Sequence, residues 1–505
     1  MIFIETDIQK NTDDIHALTR AFYPGEEVRI TQCGICSGDI SRPVIKPENS
    51  GKGGKLVYKS DRGAMFEVDV PADEKDELKR TVYAALSKRT GKTLPWGALT
   101  GIRPTRLVRR RIESGMSDEE IVTDMKRCYF TSEEKISLAM EITKKERKLI
   151  GLLINNGSND NNSDITDDAS FEKAFSNSGR YSLYVDIPFC PTRCLYCSFT
   201  SNAVGKDRAL VLAYLEALDR EIRESAELMR GRTPDTVYVG GGTPTALLPD
   251  ELERLLESLR RSFGTDRAYE MTVEAGRPDS ITAEKLEVMK RGGVTRISVN
   301  PQTMNQKTLD IIGRRHTVEQ VSEAFYLARE HGFDNINMDM ILGLPGEGAE
   351  EVEHTVEELC KLNPDSLTVH SLAVKRASAM REWLENRKEP AVMDAAEAEA
   401  MMKTADSGAR SLGMSPYYLY RQKNMAGNLE NTGYAKEGKH GLYNILINEE
   451  IEDILALGAG AISKRVDESG NTKRCANYKE VRDYIENIDK VMNKKREIWY
   501  NLLYG

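Results

Sequence analysis

The second half of the chain alternates strand-like and helix-like segments, and this rhythm constrains the fold more than any other feature of the sequence. Short segments rich in apolar and β-branched residues lie at Ser182–Phe189, Thr236–Val239, Glu270–Val273, Arg296–Val299, Asn335–Leu342 and Ser366–His370. Helical segments start between and after them at Asp207, Asp250, Thr282, Thr317 and Ala349. Such alternation is typical of a parallel sheet whose functional groups gather at the C-terminal ends of its strands. We therefore predict an α/β fold built on a partial, TIM-like barrel of six β/α units.

Three cysteines, Cys190, Cys194 and Cys197, follow the first of these strands. Thiols spaced this closely can converge on one soft metal centre. An iron–sulfur cube usually takes four cysteines, so three leave one iron free for a small molecule that carries an amine and a carboxylate. The alternatives are a structural zinc site, which needs four protein ligands and has no histidine nearby in the sequence, and three inert buried cysteines.

A glycine-rich turn, Gly240-Gly241-Gly242-Thr243-Pro244, directly follows the second strand. Successive glycines let the backbone approach a ligand closely, so that its N–H and C=O groups can bind the amine and carboxylate of an amino acid. We expect this turn to face the cysteine loop, because both lie at C-terminal strand ends.

Later strand ends add polar groups at the same mouth, namely Glu274, Gln302, Arg314 and Asp339. A carboxylate inside an apolar strand, such as that of Asp339, is costly unless it is paired or bound to a ligand. An ion pair between Arg314 and Asp339 is the alternative interpretation, and it does not exclude a ligand.

The cysteine spacing and the Gly-Gly-Thr-Pro run at 241–244 resemble those of the radical S-adenosylmethionine (SAM) enzymes. From about 181 to 463 the order of these residues resembles that of the oxygen-independent coproporphyrinogen III oxidases and their heme-chaperone relatives. The segments 95–97, 101–104 and 420–428 resemble the HemZ branch, which is longer at its N-terminus.

The resemblance implies a radical SAM barrel in which Cys190, Cys194 and Cys197 hold a [4Fe-4S] cluster. It also implies that SAM contacts Tyr184, Tyr196, Gly241, Gly242, Thr243, Glu274, Gln302, Arg314, Asp339, Ala373 and Ile462. The implied reaction is the oxidative decarboxylation of two propionates of coproporphyrinogen III to vinyl groups, which gives protoporphyrinogen IX in heme biosynthesis. The implied partners are this tetrapyrrole and an electron donor such as flavodoxin or ferredoxin.

Substrate propionates need cationic partners, and the candidates are Arg421 and Lys423, or Arg103 and Arg106. Around Arg103 the arginines can equally form a solvated helix face.

Two departures from the family pattern leave other functions open. The oxidases carry a further cysteine where this chain has Phe199, and the segment 427–431 lacks the histidine of the chaperones' heme-binding motif. The alternatives are a heme chaperone or heme-binding protein, a radical SAM methyltransferase or ring-opening enzyme acting on a tetrapyrrole, and RNA delivery by the arginine-rich N-terminal region.

At 505 residues the chain is too long for one core. We predict an N-terminal α+β domain of unknown role over 1–150, a flexible acidic linker over 151–180, the barrel over 181–390 and a smaller C-terminal α+β substrate or lid domain over 391–505. Cys33 and Cys36 form a Cys-x-x-Cys pair in the first of these, readable as a redox dithiol, half a metal site or an incidental arrangement.

The composition favours one cellular compartment and excludes some classes of partner. Eight cysteines in a chain of this length fit reduced thiols better than a disulfide framework, and no apolar run approaches a membrane span. The N-terminus lacks the pattern of a signal peptide, so we expect a cytoplasmic protein without a membrane partner. A net charge of −9 argues against general nucleic-acid binding, which needs an excess of positive charge.

Overall fold

A computed structural model describes residues 1–32, 53–61, 63–71, 74–101, 103–157, 180–198, 202–204, 207–374, 378–387, 395–422, 425, 428–467 and 471–504. Cys33, Cys36, Phe199 and Lys423 lie outside these ranges. Most of the predicted linker, from residue 158 to residue 179, lies outside them as well.

The N-terminal region begins with a small α+β unit, as predicted. Its sheet has the order β2-β1-β3-β4 and is covered by two helices. Their bounds are β1 (Ile2–Thr6), α1 (Thr12–Phe22), β2 (Val28–Gln32), β3 (Gly53–Ser60), β4 (Gly63–Pro71) and α2 (Lys75–Thr90). Strand β2, which pairs in parallel with β1, was not predicted, because its residues after Val28 are largely exposed and carry little apolar signal.

Three further helices follow: α3 (Pro104–Glu113), α4 (Asp118–Tyr129) and α5 (Glu133–Gly157). Helix α4 opens with a capping box in which the Ser117 hydroxyl accepts from the Glu120 N–H and the Glu120 carboxylate accepts from the Ser117 N–H. Helix α5 runs through the first part of the predicted linker, which corrects that boundary. Ile150 and Leu153 pack there against later strands, and this burial stabilises the last turns of the helix.

The predicted β/α alternation is confirmed. Six parallel strands stand side by side in chain order, with each strand hydrogen-bonded to the next. They are β5 (Tyr181–Ile187), β8 (Thr236–Gly241), β9 (Glu270–Gly276), β10 (Arg296–Val299), β11 (Ile336–Leu342) and β12 (Ser366–Ser371). The intervening β6 (Phe189–Cys190) and β7 (Asn202–Ala203) form a separate two-residue pair.

Helices cover the outer face of these strands. They are α6 (Arg208–Met229), α7 (Pro249–Phe263), α8 (Ala283–Arg291), α9 (Gln306–Ile311), α10 (Val318–Glu330) and α11 (Ala349–Leu362). The apolar sides of the strands and of the other five helices form one continuous core, while Leu309 of α9 packs in a separate cluster with Ile341 and Leu195. The predicted capping box of Thr317 and Gln320 starts α10.

The strands of the C-terminal part join the barrel sheet instead of forming a sheet of their own. They extend the barrel sheet on both sides into the order β13-β14-β12-β11-β10-β9-β8-β5-β15-β16-β17. The sheet is open in the described part of the chain, with β13 and β17 at its edges. The added strands are β13 (Ser415–Tyr420), β14 (Asn431–Ala435), β15 (Asp453–Leu457), β16 (Ile462–Val466) and β17 (Thr472–Ala476).

The remaining helices are α12 (Met380–Arg387), α13 (Ala395–Ser411), α14 (Leu442–Glu449), α15 (Val481–Glu486) and α16 (Ile488–Tyr504). Helix α13 was predicted, and the single last helix predicted from Tyr478 is divided between α15 and α16. No helix among the described residues has the length and apolarity needed to cross a membrane.

Candidate cofactor and substrate site

The three-cysteine loop lies at the C-terminal end of β5, as predicted. The Thr243 hydroxyl donates to Cys190 Sγ at 3.5 Å. The loop is also fixed from the other side, because the Leu195 N–H donates to the Ile312 carbonyl at 2.9 Å. Cys194 is buried. Burial opposes the charge of Arg314, but the nearby Tyr196 and Cys194 side chains raise its pKa. None of the three cysteines forms a disulfide in the described part of the chain.

The glycine turn after β8 packs directly against this loop. The Gly242 N–H donates to the Ile187 carbonyl at 2.9 Å, and the Thr243 N–H donates to the Phe189 carbonyl at 2.7 Å. A Cβ added at Gly242 would stand 2.6 Å from the Phe189 oxygen, and one added at Gly241 would stand 2.7 Å from the Asp186 carboxyl. A side chain is therefore excluded at Gly242 by the neighbouring backbone and at Gly241 by the Asp186 carboxyl.

Glu274 and Tyr238 face each other inside the barrel. The Tyr238 hydroxyl donates to Glu274 Oε1 in a short hydrogen bond. Burial raises the pKa of Glu274 to about 7, although the Tyr238 hydrogen bond opposes the rise. Near neutral pH this carboxyl can therefore exchange a proton with a bound molecule.

Asp339 has different surroundings. Asn337 Nδ2 donates to Asp339 Oδ1 at 2.7 Å, and His370 Nε2 lies 3.7 Å from Asp339 Oδ2. Burial alone would raise the pKa of Asp339, but the hydrogen bonds and charge of His370 and the hydrogen bond from Asn337 lower it below its ordinary value. Arg314 instead donates to the Asn300 carbonyl at 2.5 Å, so the structure does not form the alternative Arg314–Asp339 pair.

Gln302 holds an unusual backbone conformation between two strand ends. Its φ is +70°, and it is fixed there because its N–H donates to the Asp339 carbonyl while its carbonyl accepts from the Ile341 N–H. Its side-chain Oε1 is buried, as are Ser298 Oγ and Asn300 Oδ1, and none of the three has a hydrogen-bond partner among the described residues. Unpaired buried polar atoms are rare, and in an open cavity they indicate a place for a polar ligand.

A cavity of about 580 Å³ joins most of these groups. From the set implied by the family resemblance, its wall includes Tyr196, Cys197, Glu274, Gln302, Asp339 and Ala373. The candidate substrate contact Arg421 lines it as well. Gly241, Gly242 and Thr243 lie against the cysteine loop, and the Tyr184 ring stacks 6.2 Å from that of Tyr238. Ile462 is the outlier, because it stands at the start of β16 with 45% of its surface exposed.

These residues fit the cluster and SAM. The donor set consists of three thiols on one loop, the glycine turn leaves no room for a Cβ, and unpaired polar atoms line the adjoining cavity. No three His, Cys, Asp or Glu side chains in the described ranges are close enough to enclose a single metal ion. A four-iron cube binds each cysteine through a different iron, so its ligand sulfurs stand further apart than those around one ion.

The arginines proposed as substrate partners are mostly engaged with protein groups. Arg421 donates to the Leu99 carbonyl at 2.7 Å and to the Asn428 carbonyl at 3.0 Å. Burial lowers its pKa to about 10. Arg103 also lines the cavity and forms an ion pair with Glu450. Arg421 therefore ties the N-terminal region to the barrel rather than presenting a free guanidinium.

Sequence reasoning missed several cavity residues. Tyr238 and His370 lie near the C-terminal ends of parallel strands and line the cavity, as Glu274 and Asp339 do. Their place near a strand end could have identified them from the sequence. Lys464 follows two residues after Ile462 on β16 and also reaches the cavity wall. Arg296, at the start of β10, is fully buried with an unpartnered Nε in the described structure.

Comparison with known proteins agrees with this geometry. The radical SAM superfamily pattern matches residues 184–359. The chain is 40% identical over 435 residues to the oxygen-independent coproporphyrinogen-III oxidase-like protein HemZ of Bacillus subtilis, covering 85% of this chain and 82% of that one. It is 31% identical over 283 residues to the heme chaperone HemW of the same organism, covering 55% and 70%.

The solved structure of the coproporphyrinogen III oxidase HemN of Escherichia coli is also similar. Its TM-score is 0.49 at 24% identity, and the match covers 64% of this chain and 73% of that one.

Proposed function

Because this chain belongs to the radical SAM superfamily, and within it to the HemZ branch of the oxygen-independent coproporphyrinogen III oxidase-like proteins, we propose that it oxidatively decarboxylates propionates of coproporphyrinogen III. The product would be protoporphyrinogen IX, formed in heme biosynthesis. The superfamily uses a [4Fe-4S] cluster and SAM, and these are its cofactors.

One observation supports this proposal above the others. The same cavity wall contains Cys197 of the cysteine loop, the acid Glu274 and the cations Arg103 and Lys464. A ligand that carries several carboxylates can therefore reach the cofactor site while its charged groups remain near cations.

We assign the residues as follows. Cys190, Cys194 and Cys197 hold the cluster, and when bound the cluster and SAM supply the reductive cleavage that generates a hydrogen-abstracting radical. The backbone of the glycine turn and the side chain of Gln302 position the amino-acid end of SAM.

The other acidic and aromatic groups orient the bound molecules. Asp339 stays ionised beside His370 and accepts hydrogen bonds from hydroxyl or amine donors. Glu274, held by Tyr238, can give or take a proton near neutral pH. The buried strands around them limit the access of water to the reacting carbon.

The proposal is tested by anaerobic reconstitution with iron, sulfide, SAM, a reductant and coproporphyrinogen III. Mass spectrometry should show the macrocycle losing CO₂ twice, together with release of 5′-deoxyadenosine. SAM cleavage with an unchanged or methylated macrocycle would contradict the decarboxylation and leave another radical SAM reaction.

Heme binding is the second candidate, and His370 favours it. Its imidazole lines the cavity, and imidazole is a common axial ligand of heme iron. Stoichiometric heme binding that His370→Ala abolishes, without release of 5′-deoxyadenosine under reducing conditions, would support a chaperone instead.

A further inference from the structure

Four cations surround a single carboxylate where the N-terminal region meets the C-terminal hairpin β16–β17. Lys464 Nζ lies 2.9 Å from Glu450 Oε1, and Arg474 Nη2 lies 3.4 Å from the same oxygen. Arg103 pairs with Glu450 Oε2, and Arg106 Nη1 lies 3.9 Å from that oxygen. We name Arg103, Arg106, Lys464 and Arg474 the basic cluster.

The neighbouring acid, Glu449, attracts Arg106 but forms its ion pair with a different arginine. Glu449 is paired with Arg109 at 2.5 Å, and Arg109 is also 3.5 Å from Glu113. Glu450 is therefore the acid that pairs with the basic cluster in the described structure. Four cations against one carboxylate leave three positive charges in excess.

Part of this excess charge is buried away from solvent. The side chain of Arg103 is 13% exposed, that of Lys464 is 16% exposed and that of Glu450 is 7% exposed. Burial lowers the pKa of Lys464, and the charges of Arg103 and Arg474 lower it further, although Glu450 opposes them. The basic cluster would therefore be stabilised by a further anion.

The basic cluster opens onto the cofactor cavity. Arg103 and Lys464 belong to the described cavity wall, and Glu450 does not. Arg103 and Lys464 can thus reach a ligand in the cavity. Arg106 and Arg474 are not part of the wall and adjoin these two cations at Glu450.

We propose that the basic cluster is a subsite for the carboxylates of a tetrapyrrole, and that residues of the N-terminal region complete it. The choice of a tetrapyrrole rests on the proposed function, while the anion site itself rests on the charges and the cavity. Planar guanidinium groups bind carboxylates with two parallel hydrogen bonds, and Arg103 and Arg106 both come from the N-terminal region. A role for that region in forming the site follows.

The test is equilibrium binding of coproporphyrin III, a stable tetracarboxylate, to the cluster-loaded full-length protein without reductant. Fluorescence of the porphyrin gives the Kd. We expect Lys464→Ala to weaken binding roughly tenfold, since it removes a charge-assisted hydrogen bond to the ligand. Arg474→Ala should weaken it roughly threefold, because Arg474 lies outside the cavity wall and acts through its charge. The salt dependence of binding should become shallower in both variants.

Lys473→Ala is the matched control, because Lys473 is an exposed cation on the same strand β17 and pairs across the sheet with Arg465. It should leave the Kd unchanged. Glu450→Gln should tighten binding, because it removes the carboxylate that competes for the cations. The tetramethyl ester of coproporphyrin III, which has no charge, should not respond to any of these substitutions.

Arg474 is 60% exposed, so Arg474→Ala is expected to fold and carries the test if Lys464→Ala does not. A Kd for Arg474→Ala and Lys464→Ala within twofold of the unsubstituted protein would overturn the subsite. Charge-dependent binding without decarboxylation would keep the subsite and remove the proposed function. Decarboxylation with charge-independent binding would support the proposed function and remove the subsite.

Discussion

Cys194 is the buried member of the cysteine loop, and its thiol is one of the neighbouring groups that raise the pKa of Arg314 against the effect of burial. We predict that Cys194→Ser abolishes cluster loading, because a hydroxyl is a far poorer ligand for iron than a thiolate. Iron and sulfide analysis and the visible spectrum after anaerobic reconstitution measure the loss, and SAM cleavage should fall at least about a hundredfold.

Cys360→Ser is the control, since Cys360 lies on α11 against the Gly408 carbonyl of α13, away from the loop. It should load iron normally. An intact cluster in Cys194→Ser would contradict the assignment of the cysteine loop.

Glu274 makes folding stability depend on pH. Its pKa is about 7 in the folded protein against an ordinary value of 4.5, so the folded state disfavours the charged form. The cost is absent below about pH 4.5, grows as the pH rises, and is complete above about pH 7. It amounts to roughly 3 kcal/mol.

We predict that Glu274→Gln is about as stable as the unsubstituted protein at pH 4.5 and more stable at pH 8, by up to roughly 3 kcal/mol. Urea unfolding of the protein without SAM at both pH values measures the difference. Glu257→Gln, on the exposed side of α7, should show no such dependence. An equal effect of Glu274→Gln at both pH values would refute this account.

At the scale of elements, the glycine turn fixes the end of β8 against the cysteine loop. A methyl group at Gly242 would collide with two backbone carbonyls, those of Phe189 at 2.6 Å and Ile187 at 2.8 Å. We predict that Gly242→Ala lowers the free energy of unfolding by about 1–3 kcal/mol and weakens SAM binding, because the two segments must separate.

Gly101→Ala provides the comparison, since an added Cβ there meets no atom within 4 Å and the backbone is not left-handed. It should be nearly neutral. Unfolding curves and equilibrium SAM binding measure the stability and the SAM affinity of both variants. A Gly242→Ala protein with unchanged SAM affinity would show that the turn does not hold the cofactor.

The extension of the barrel sheet is the element that sequence patterns did not reveal. Strand β13 contains Tyr417 and Tyr418, which are buried on successive positions, so it lacks the alternation that marks a half-exposed strand. It is buried because α5 covers one side of it while the barrel lies on the other. Periodicity alone could not anticipate that covering.

At the scale of the molecule, a buried ion pair joins the N-terminal region to the barrel. Lys135 Nζ lies 2.6 Å from Glu430 Oε1, and Trp96 Nε1 donates to Glu430 Oε2 at 2.6 Å. Both charged side chains are almost fully buried. Removing one charge would leave the other without compensation in a dry interface.

We predict that Lys135→Met costs about 3–5 kcal/mol of folding stability. Adding Glu430→Gln should recover much of the loss, because the amide can still accept from Trp96. Lys144→Met is the control on the same helix α5, since its pair with Asp118 is more than half exposed, and it should cost less than about 1 kcal/mol.

Chemical denaturation of the three variants tests this interface. A loss in Lys135→Met no larger than that in Lys144→Met would mean that the N-terminal region is only loosely attached. A large loss within a single unfolding transition would show that both regions unfold as one unit.

The sequence by itself determined the local features of this protein. The β/α rhythm, the cysteine spacing, the glycine turn and the acidic strand ends could all be read from neighbouring residues, because strand and helix periods and close backbone approach are local properties. The order of the six parallel strands followed as well, since successive β/α units pack side by side.

Only the tertiary structure decided what the distant segments do. The pairing of Asp339 with His370, the engagement of Arg421 by the N-terminal region and the gathering of the basic cluster around Glu450 join residues far apart in the chain. Such contacts depend on how whole elements pack. Packing is driven by the burial of apolar surface, which has no preferred direction, so the sequence around a polar residue does not show which distant residue it will contact.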